Sequence, residues 1–288
     1  MVDALQFAGG KFHCPVTLYA AHPEASRTLV ILPALGVTAR KYAGLAQRLV
    51  AAGHNVLVAD WPGQGESLPR PGWRFNYGYR QLVEEFLPKL LQLARRHFPQ
   101  AVPVLLGHSL GGHIATLYAA ANPDSPVAVI GVACGNIHYR HWQGPSRLLT
   151  PSVALLFGLL ASLLGHLPGQ RLGFGGREAR SLMRDWGRVA FTGHYRHLGL
   201  TLAPAARNRV ASLYIQIEGD KFAPPASTQG LAELIQVEPQ LLYLASPRPP
   251  QENPHSAWLL VPQSVVDCIG QWLATATGSP REMALAQP

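Results

Sequence analysis

Apolar residues follow two alternating rhythms along this chain. Short runs rich in leucine and β-branched residues occur at 16–20, 28–32, 55–59, 102–106, 127–134, 213–217 and 241–244. Most are apolar at consecutive positions and bounded by turn residues, the pattern of a strand covered on both faces. Between them lie segments whose apolar residues recur three and four apart. Residues 41–52 put Tyr42, Leu45, Leu49 and Val50 at helical spacing, and Gly53 ends the helix. Residues 79–98 repeat the rhythm with Leu82, Val83, Phe86, Leu90 and Leu93, and Pro88 predicts a kink or break there. Further helices are expected at 112–121 and 261–274. Strand and helix in alternation predict an α/β fold with a mostly parallel central sheet flanked by helices.

The alternation stops near residue 135 and resumes near 210. Residues 136–205 therefore read as a helical cap inserted over one end of the sheet, dividing the core into 1–135 and 206–277. Residues 278–288 have no pattern and are expected to form a frayed tail. Inside the cap, 148–168 (LLTPSVALLFGLLASLLGHLP) is uncharged and long enough to span a membrane. Pro151, Gly158 and Gly165 interrupt it, and Arg147 and Arg171 flank it. These features predict a buried helix, or one lining an apolar pocket, rather than a span. In the second case Leu156 and Leu160 would line an acyl pocket, with Trp186 and Phe191 covering it. The alternative is that these side chains only pack the cap onto the core.

Composition narrows the classes. With 288 residues, 48% hydrophobic and 14% charged, the chain can bury a real core and is not a fibre, a coiled coil or a disordered tail. The net charge is +8, but no Lys/Arg run exceeds two residues, so no nucleic-acid partner is expected. The charge is uneven: residues 136–200 hold eight Arg, no Lys and two acids, Glu178 and Asp185, a net +6. That excess suggests a cap drawn to an anionic substrate or, through peripheral contact, to an anionic membrane surface. Three cysteines, Cys14, Cys134 and Cys268, lack metal-ligand spacing, so no disulfide, metal or cofactor is expected. The first residues lack a basic segment followed by an apolar one, which predicts a cytoplasmic protein.

The chemistry centres on Gly107-His108-Ser109-Leu110-Gly111-Gly112, between a predicted strand and a predicted helix. A serine on such a turn is held in a strained conformation that small neighbours permit, next to the positive end of a helix. Serine needs a base, and the base an orienting acid, in the chain order Ser, Asp/Glu, His. Asp220 follows a late strand and His255 sits in the loop before the last helix. Glu218 lies within the strand, Asp267 on the closing helix and Asp185 in the cap, and each fits less well. His108 and His113 flank the serine and are expected to pack against neighbouring strands. An oxyanion would be held by the backbone N–H of Leu110 and by one from the loop Leu32-Pro33-Ala34-Leu35-Gly36, with Leu35 preferred and Ala34 second.

Assembled, these residues resemble an α/β-hydrolase. PALG after one strand, Asp60-Trp-Pro-Gly-Gln-Gly-Glu-Ser67 after the next, GHSLGG and the late Asp and His come in the family's order, over about residues 15–275. Asp220-x-Phe-Ala-Pro224 and the cap segments Gly165-His-Leu-Pro168, Asp185-Trp186-x-Arg188 and Tyr195 are most similar to bacterial hydrolases of the serine aminopeptidase and monoacylglycerol lipase branch. The Asp60–Ser67 turn would be structural. Two positions depart from the family: Pro33-Ala34 where many relatives have His-Gly, and Asn253-Pro254 where they often have Gly just before the His. The resemblance implies a serine hydrolase. The leading expectation is cleavage of a lipophilic small- to medium-acyl ester or lactone. A thioesterase or acyltransferase, an N-terminal-residue peptidase and an inactive binding module are the alternatives.

Overall fold

The computed structural model describes residues 4–7, 10–22, 25–246 and 253–276. The expected tail at 278–288 lies outside them. The central sheet has seven strands: β1 Val16–Tyr19, β2 Arg27–Leu32, β3 Asn55–Ala59, β4 Val102–His108, β5 Ala128–Val132, β6 Ser212–Ile217 and β7 Leu241–Leu244. Their spatial order is β7-β6-β5-β4-β2-β3-β1. All neighbours are parallel except β1, which runs antiparallel to β3 at the edge. The helices are α1 Ala43–Ala51, α2 Leu87–His97, α3 Leu110–Ala121, α4 Ser146–Leu164, α5 Arg180–Thr192, α6 Pro225–Ala232, α7 Pro254–Ala257 and α8 Gln263–Ala276.

The consecutive apolar residues of each strand divide between two cores. Val30 and Leu32 of β2 face a cluster built with Leu90 and Leu91 of α2 and Ile114 and Leu117 of α3. Leu29 and Ile31 face another with Leu45 and Leu49 of α1 and Val265 and Ile269 of α8. Both faces are covered, which is why the strands carry no polar alternation. Pairing of Leu32 with Gly107 and of His108 with Val132 brings the carboxyl ends of β2, β4 and β5 level. The loops that leave those ends meet in one crevice, the usual binding place of such a sheet.

Three elements differ from expectation. Pro88 does not break the helix it sits in. The turn before it, Leu82–Phe86, widens to a π-helix, and Pro88 falls in the first turn of α2, where a missing N–H costs little. The cap is not wholly helical: His166–Pro168 pairs antiparallel with Arg177–Ala179, strands too short to give a periodic signal. And α4 is not buried. Ala154, Phe157 and Ala161 turn inward, onto α5 and the ribbon, with Val153 and Leu160 half-buried beside them, and the other leucines of the helix are exposed.

Both acids of the cap hold it to the core. The Glu178 carboxylate accepts from Gly176 N–H at 2.6 Å and from Gln64 Nε2 at 3.1 Å, while Gln64 also donates to the Arg177 carbonyl at 2.6 Å. Asp185 Oδ2 accepts from Tyr79 N–H at 3.1 Å. Burial pushes the Glu178 carboxyl from 4.5 up to about 7. The folded state therefore binds this proton more tightly than the unfolded chain, and stability falls as pH rises through about 7. Glu178→Gln should remove that slope. The melting temperature of wild type relative to the variant is expected to drop between about pH 5 and pH 8, by the equivalent of about 1–3 kcal/mol. Parallel pH curves for the two proteins would contradict the assignment.

Candidate active site

Ser109 joins β4 to α3 at φ 52° and ψ −113°, a conformation that non-glycine residues rarely adopt. The glycines around it make the turn sterically possible. A Cβ on Gly107 would overlap the Gly111 backbone, and one on Gly111 would overlap the Leu32 carbonyl. Ser109 N–H donates to the Val132 carbonyl at 3.1 Å, tying the turn to β5. Leu110 is the first residue of α3, so its N–H falls outside the helix's own bonding.

The late acid and base are brought together. His255 Nδ1 lies 2.8 Å from Asp220 Oδ2, and their side chains are only 13% and 1% exposed. The second carboxylate oxygen of Asp220 accepts from the N–H groups of Phe222 and Ala223, at 2.8 and 3.2 Å. Those bonds fix the carboxylate plane, and the carboxylate in turn fixes the imidazole. Because the carboxylate accepts, Nδ1 carries the proton and Nε2 is left to accept. Asn253-Pro254, the second departure from the family pattern, forms the start of α7. The Asn253 side chain accepts from His255 N–H at 3.2 Å, and Pro254 occupies the first turn. His255 thus stands on a capped helical turn, not on a free loop. Glu218 is exposed just past β6 and Asp267 is exposed on α8, away from this cluster.

The loop after β2 is held from two sides. Trp61 Nε1 donates to the Pro33 carbonyl at 2.9 Å, and Ala34 N–H donates to the Tyr42 hydroxyl oxygen at 2.8 Å. The Ala34 N–H is therefore engaged and is not a free donor. Among the described residues, the Leu35 N–H has no such partner. Ala34 is not among the residues with positive φ, so its methyl group costs nothing, while Gly36 takes φ 70°. A Cβ on Gly36 would strike the backbone of Gly175 and Gly176, which shows how closely the cap loop lies on this one. Asp60 plays the structural part expected of it, accepting from Ala39 N–H at 2.7 Å and Glu66 N–H at 3.0 Å.

Two buried histidines flank Ser109, and they do more than pack. His108 Nε2 is 2.7 Å from the carbonyl of His255, and its Nδ1 is 2.8 Å from the Tyr42 hydroxyl. A carbonyl can only accept, so Nε2 carries the proton and Nδ1 accepts from Tyr42. His113 mirrors this, with Nε2 on the Gly135 carbonyl and Nδ1 at 3.2 Å from the Tyr79 hydroxyl. Burial lowers His108 to about 3 and His113 to about 4, so both stay neutral at physiological pH. Nothing in the sequence marks Tyr42 as a partner of His108, which lies 66 residues away.

Ser109, His255, Leu35, Leu110, Phe174 and Trp186 all line one cavity of about 280 Å³. Of the four residues the sequence offered for the pocket, Trp186 lines the cavity and the other three do not. Leu160 packs one layer behind, near Phe157 and Met183, and Leu156 and Phe191 are exposed. The α4 face that turns inward is narrower than a leucine-rich run suggests. Its place in the cavity wall is taken by the loop Gly173–Gly175, whose glycines carry no hydrophobic period. Phe222, whose ring lies 5.3 Å from that of His255, and Ala133, with φ 47°, also line the cavity; Phe222 stood out in the sequence only as part of Asp220-x-Phe-Ala-Pro224, and Ala133 gave no signal. No Asp, Glu, Lys or Arg lines it among the described residues, and these contain no cluster of metal-ligating side chains.

Known proteins agree with this architecture. A family model described as "Serine aminopeptidase, S33" matches residues 23–192. A 2-hydroxy-6-oxononadienedioate/2-hydroxy-6-oxononatrienedioate hydrolase of Cupriavidus pinatubonensis is 35% identical over 157 residues, 52% of this chain and 47% of that protein. Mink (Neovison vison) lipoprotein lipase is 26% identical over 158 residues, 52% of this chain and 32% of the lipase. The matched region is thus less than half the length of these relatives. Among solved structures, a soluble variant of monoglyceride lipase from Saccharomyces cerevisiae superposes with a TM-score of 0.67 at 16% identity, over 97% of both chains. An esterase from Exiguobacterium antarcticum superposes at 0.62 and 15% identity, over 96% of this chain and all of the esterase. These two likenesses are of fold.

Proposed function

Because the chain belongs to the serine aminopeptidase S33 family of α/β-hydrolases, we propose that it hydrolyses carboxylic esters through Ser109, His255 and Asp220. The observation that carries this reading is the Asp220–His255 pair at 2.8 Å, opening on the same cavity as a serine held at φ 52°. Ser109 Oγ attacks the ester carbonyl while His255 Nε2 takes its proton. Asp220 stabilises the imidazolium through Nδ1. The N–H groups of Leu110 and Leu35 hold the oxyanion. Collapse breaks the acyl–oxygen bond, and His255 returns the proton to the leaving alcohol. Water, deprotonated by His255, then attacks the acyl-enzyme, releasing the acid and restoring Ser109. The scheme calls for no metal or organic cofactor.

The cavity supports a small- or medium-acyl ester or a lactone. Its volume of about 280 Å³ is near the lower end for small-molecule clefts, and its wall is largely apolar. An aminopeptidase must neutralise the substrate ammonium. Glu178 and Asp185, the two acids of the cap, are both committed to backbone N–H groups outside the cavity. That ranks ester above peptide. A thioester, or acyl transfer to an acceptor alcohol, would use the same groups. An ester panel of increasing acyl length, with matched thioesters and aminoacyl amides, separates these chemistries. The expected result is highest kcat/KM on short and medium oxygen esters. Preferential cleavage of the amides would overturn the reading.

A further inference from the structure

We propose that the outer face of α4 docks this protein on an anionic lipid surface. Leu148, Leu155, Leu156, Leu159 and Leu163 recur at helical spacing and are all exposed, Leu148 and Leu163 by 73% and 74%. From first to last they run about 22 Å along the helix. A bare leucine stripe of this length is unusual on a protein that meets only water. Past the exposed Ser146 and Arg147 of its first turn, the polar residues on α4 ask little of water. The hydroxyls of Thr150, Ser152 and Ser162 each donate to the carbonyl four residues back, at 3.0, 2.9 and 2.8 Å. α4 is long and apolar enough to cross a bilayer, but Ala154, Phe157 and Ala161 are packed against the protein, so it lies along the surface.

Charge selects the occupant. Seven of the eight arginines at 136–200 are exposed, and none lines the cavity. Two of them, Arg147 in the first turn of α4 and Arg171 in the turn after the strand that follows it, flank the leucine stripe in the chain, which matches lipid headgroups of negative charge. A second copy of the same arginine-rich cap would be repelled. The surface is also one aromatic layer from the cavity. Phe157, on the inner side of α4, has its ring 4.9 Å from that of Phe174, which lies 5.9 Å from Trp186, and the last two line the cavity.

The test is sedimentation with phosphatidylcholine vesicles, with and without phosphatidylglycerol. Wild type should pellet with the anionic vesicles and be partly released by salt. Leu148→Gln/Leu159→Gln/Leu163→Gln should bind on the order of tenfold more weakly, with unchanged melting temperature and unchanged turnover of a soluble short ester. Wild type left in the supernatant with both vesicles would overturn the proposal. So would a dimer, seen by analytical ultracentrifugation, that the triple variant abolishes. Binding to vesicles is read without any enzymatic assay, so its outcome is separate from that of the hydrolase reading.

A second inference stands on different bonds and rests on the hydrolase reading: the geometry points to Tyr42 and His108 as positioning residues. Ala34 N–H to Tyr42, Tyr42 O–H to His108 and His108 N–H to the His255 carbonyl form one chain with a single polarity. It joins the loop that carries Leu35, the residue before the nucleophile, and the backbone of the base. Tyr42→Phe breaks its middle and leaves the Ala34 N–H and His108 Nδ1 unpaired. Its kcat should fall about tenfold with KM unchanged, counted per active site by burst titration so that misfolded protein does not enter. His108→Gln, which can donate to the carbonyl and accept from Tyr42, should retain more activity than His108→Leu. Unchanged kcat in Tyr42→Phe and His108→Leu, or a rise in KM alone, would overturn the role. Should wild type hydrolyse nothing, the hydrolase reading fails, and the imidazole ¹⁵N spectrum still tests whether His108 holds its proton on Nε2.

Discussion

Ester turnover by Ser109→Ala is expected to fall by about 10⁴-fold or more. In the proposed mechanism the serine supplies the bond-forming oxygen, and burial pushes up the thiol of Cys134, which lines the same cavity, so it is a poor substitute. His255 and Asp220 would keep their 2.8 Å contact in the variant, because neither needs Ser109 to hold it. The fold should survive. Alanine has the same Cβ as serine at φ 52°, so the strain is unchanged, and both Gly107 and Gly111 remain. Melting temperatures should agree within a few degrees (about 2 kcal/mol or less). Progress curves on a chromogenic short-chain ester, run beside thermal melts, check both halves. Loss of activity together with loss of the fold would leave the serine's role unsupported by this variant, whereas retained turnover would exclude it as nucleophile.

Asp220→Asn is expected to lower kcat by about 10³–10⁴-fold with little change in KM. The oxygen that accepts from Phe222 and Ala223 can be kept, so the other atom facing His255 becomes an NH₂. That group donates to Nδ1 and forces the imidazole proton onto Nε2, where it can no longer accept the serine proton. The ring keeps its place but has the wrong tautomer, and it loses the charge that stabilises the imidazolium. Labelling of Ser109 by an active-site-directed fluorophosphonate should slow in proportion to kcat. An Asp220→Asn protein with kcat near wild type would assign the orienting role to another acid.

Much of this arrangement was legible in the chain. The strands announced themselves as consecutive apolar runs because both faces of the sheet are covered. The G-x-S-x-G turn announced itself because its glycines have no substitute where Gly107 meets Gly111. Asp220 and His255 could be placed because each follows a strand at the end of the sheet where the serine emerges. Other features left no trace. α4 read as buried because hydrophobic content normally means burial, yet only one narrow face meets protein. The cavity wall at Gly173–Gly175 has no period to find. The bonds joining Ala34, Tyr42, His108 and His255 link residues far apart in sequence, brought together by the register of β2 against β4 and by the turn that carries His255. The Glu178 anchor is likewise a contact across 114 residues, invisible until the cap is folded down.

The central claim is that Ser109 is an activated nucleophile, and intact-mass spectrometry after fluorophosphonate treatment tests it most directly. One adduct should form on wild type and map by peptide sequencing to Ser109, and none should form on Ser109→Ala. A folded wild-type protein that takes up no label, or a label that persists in Ser109→Ala, would contradict the account.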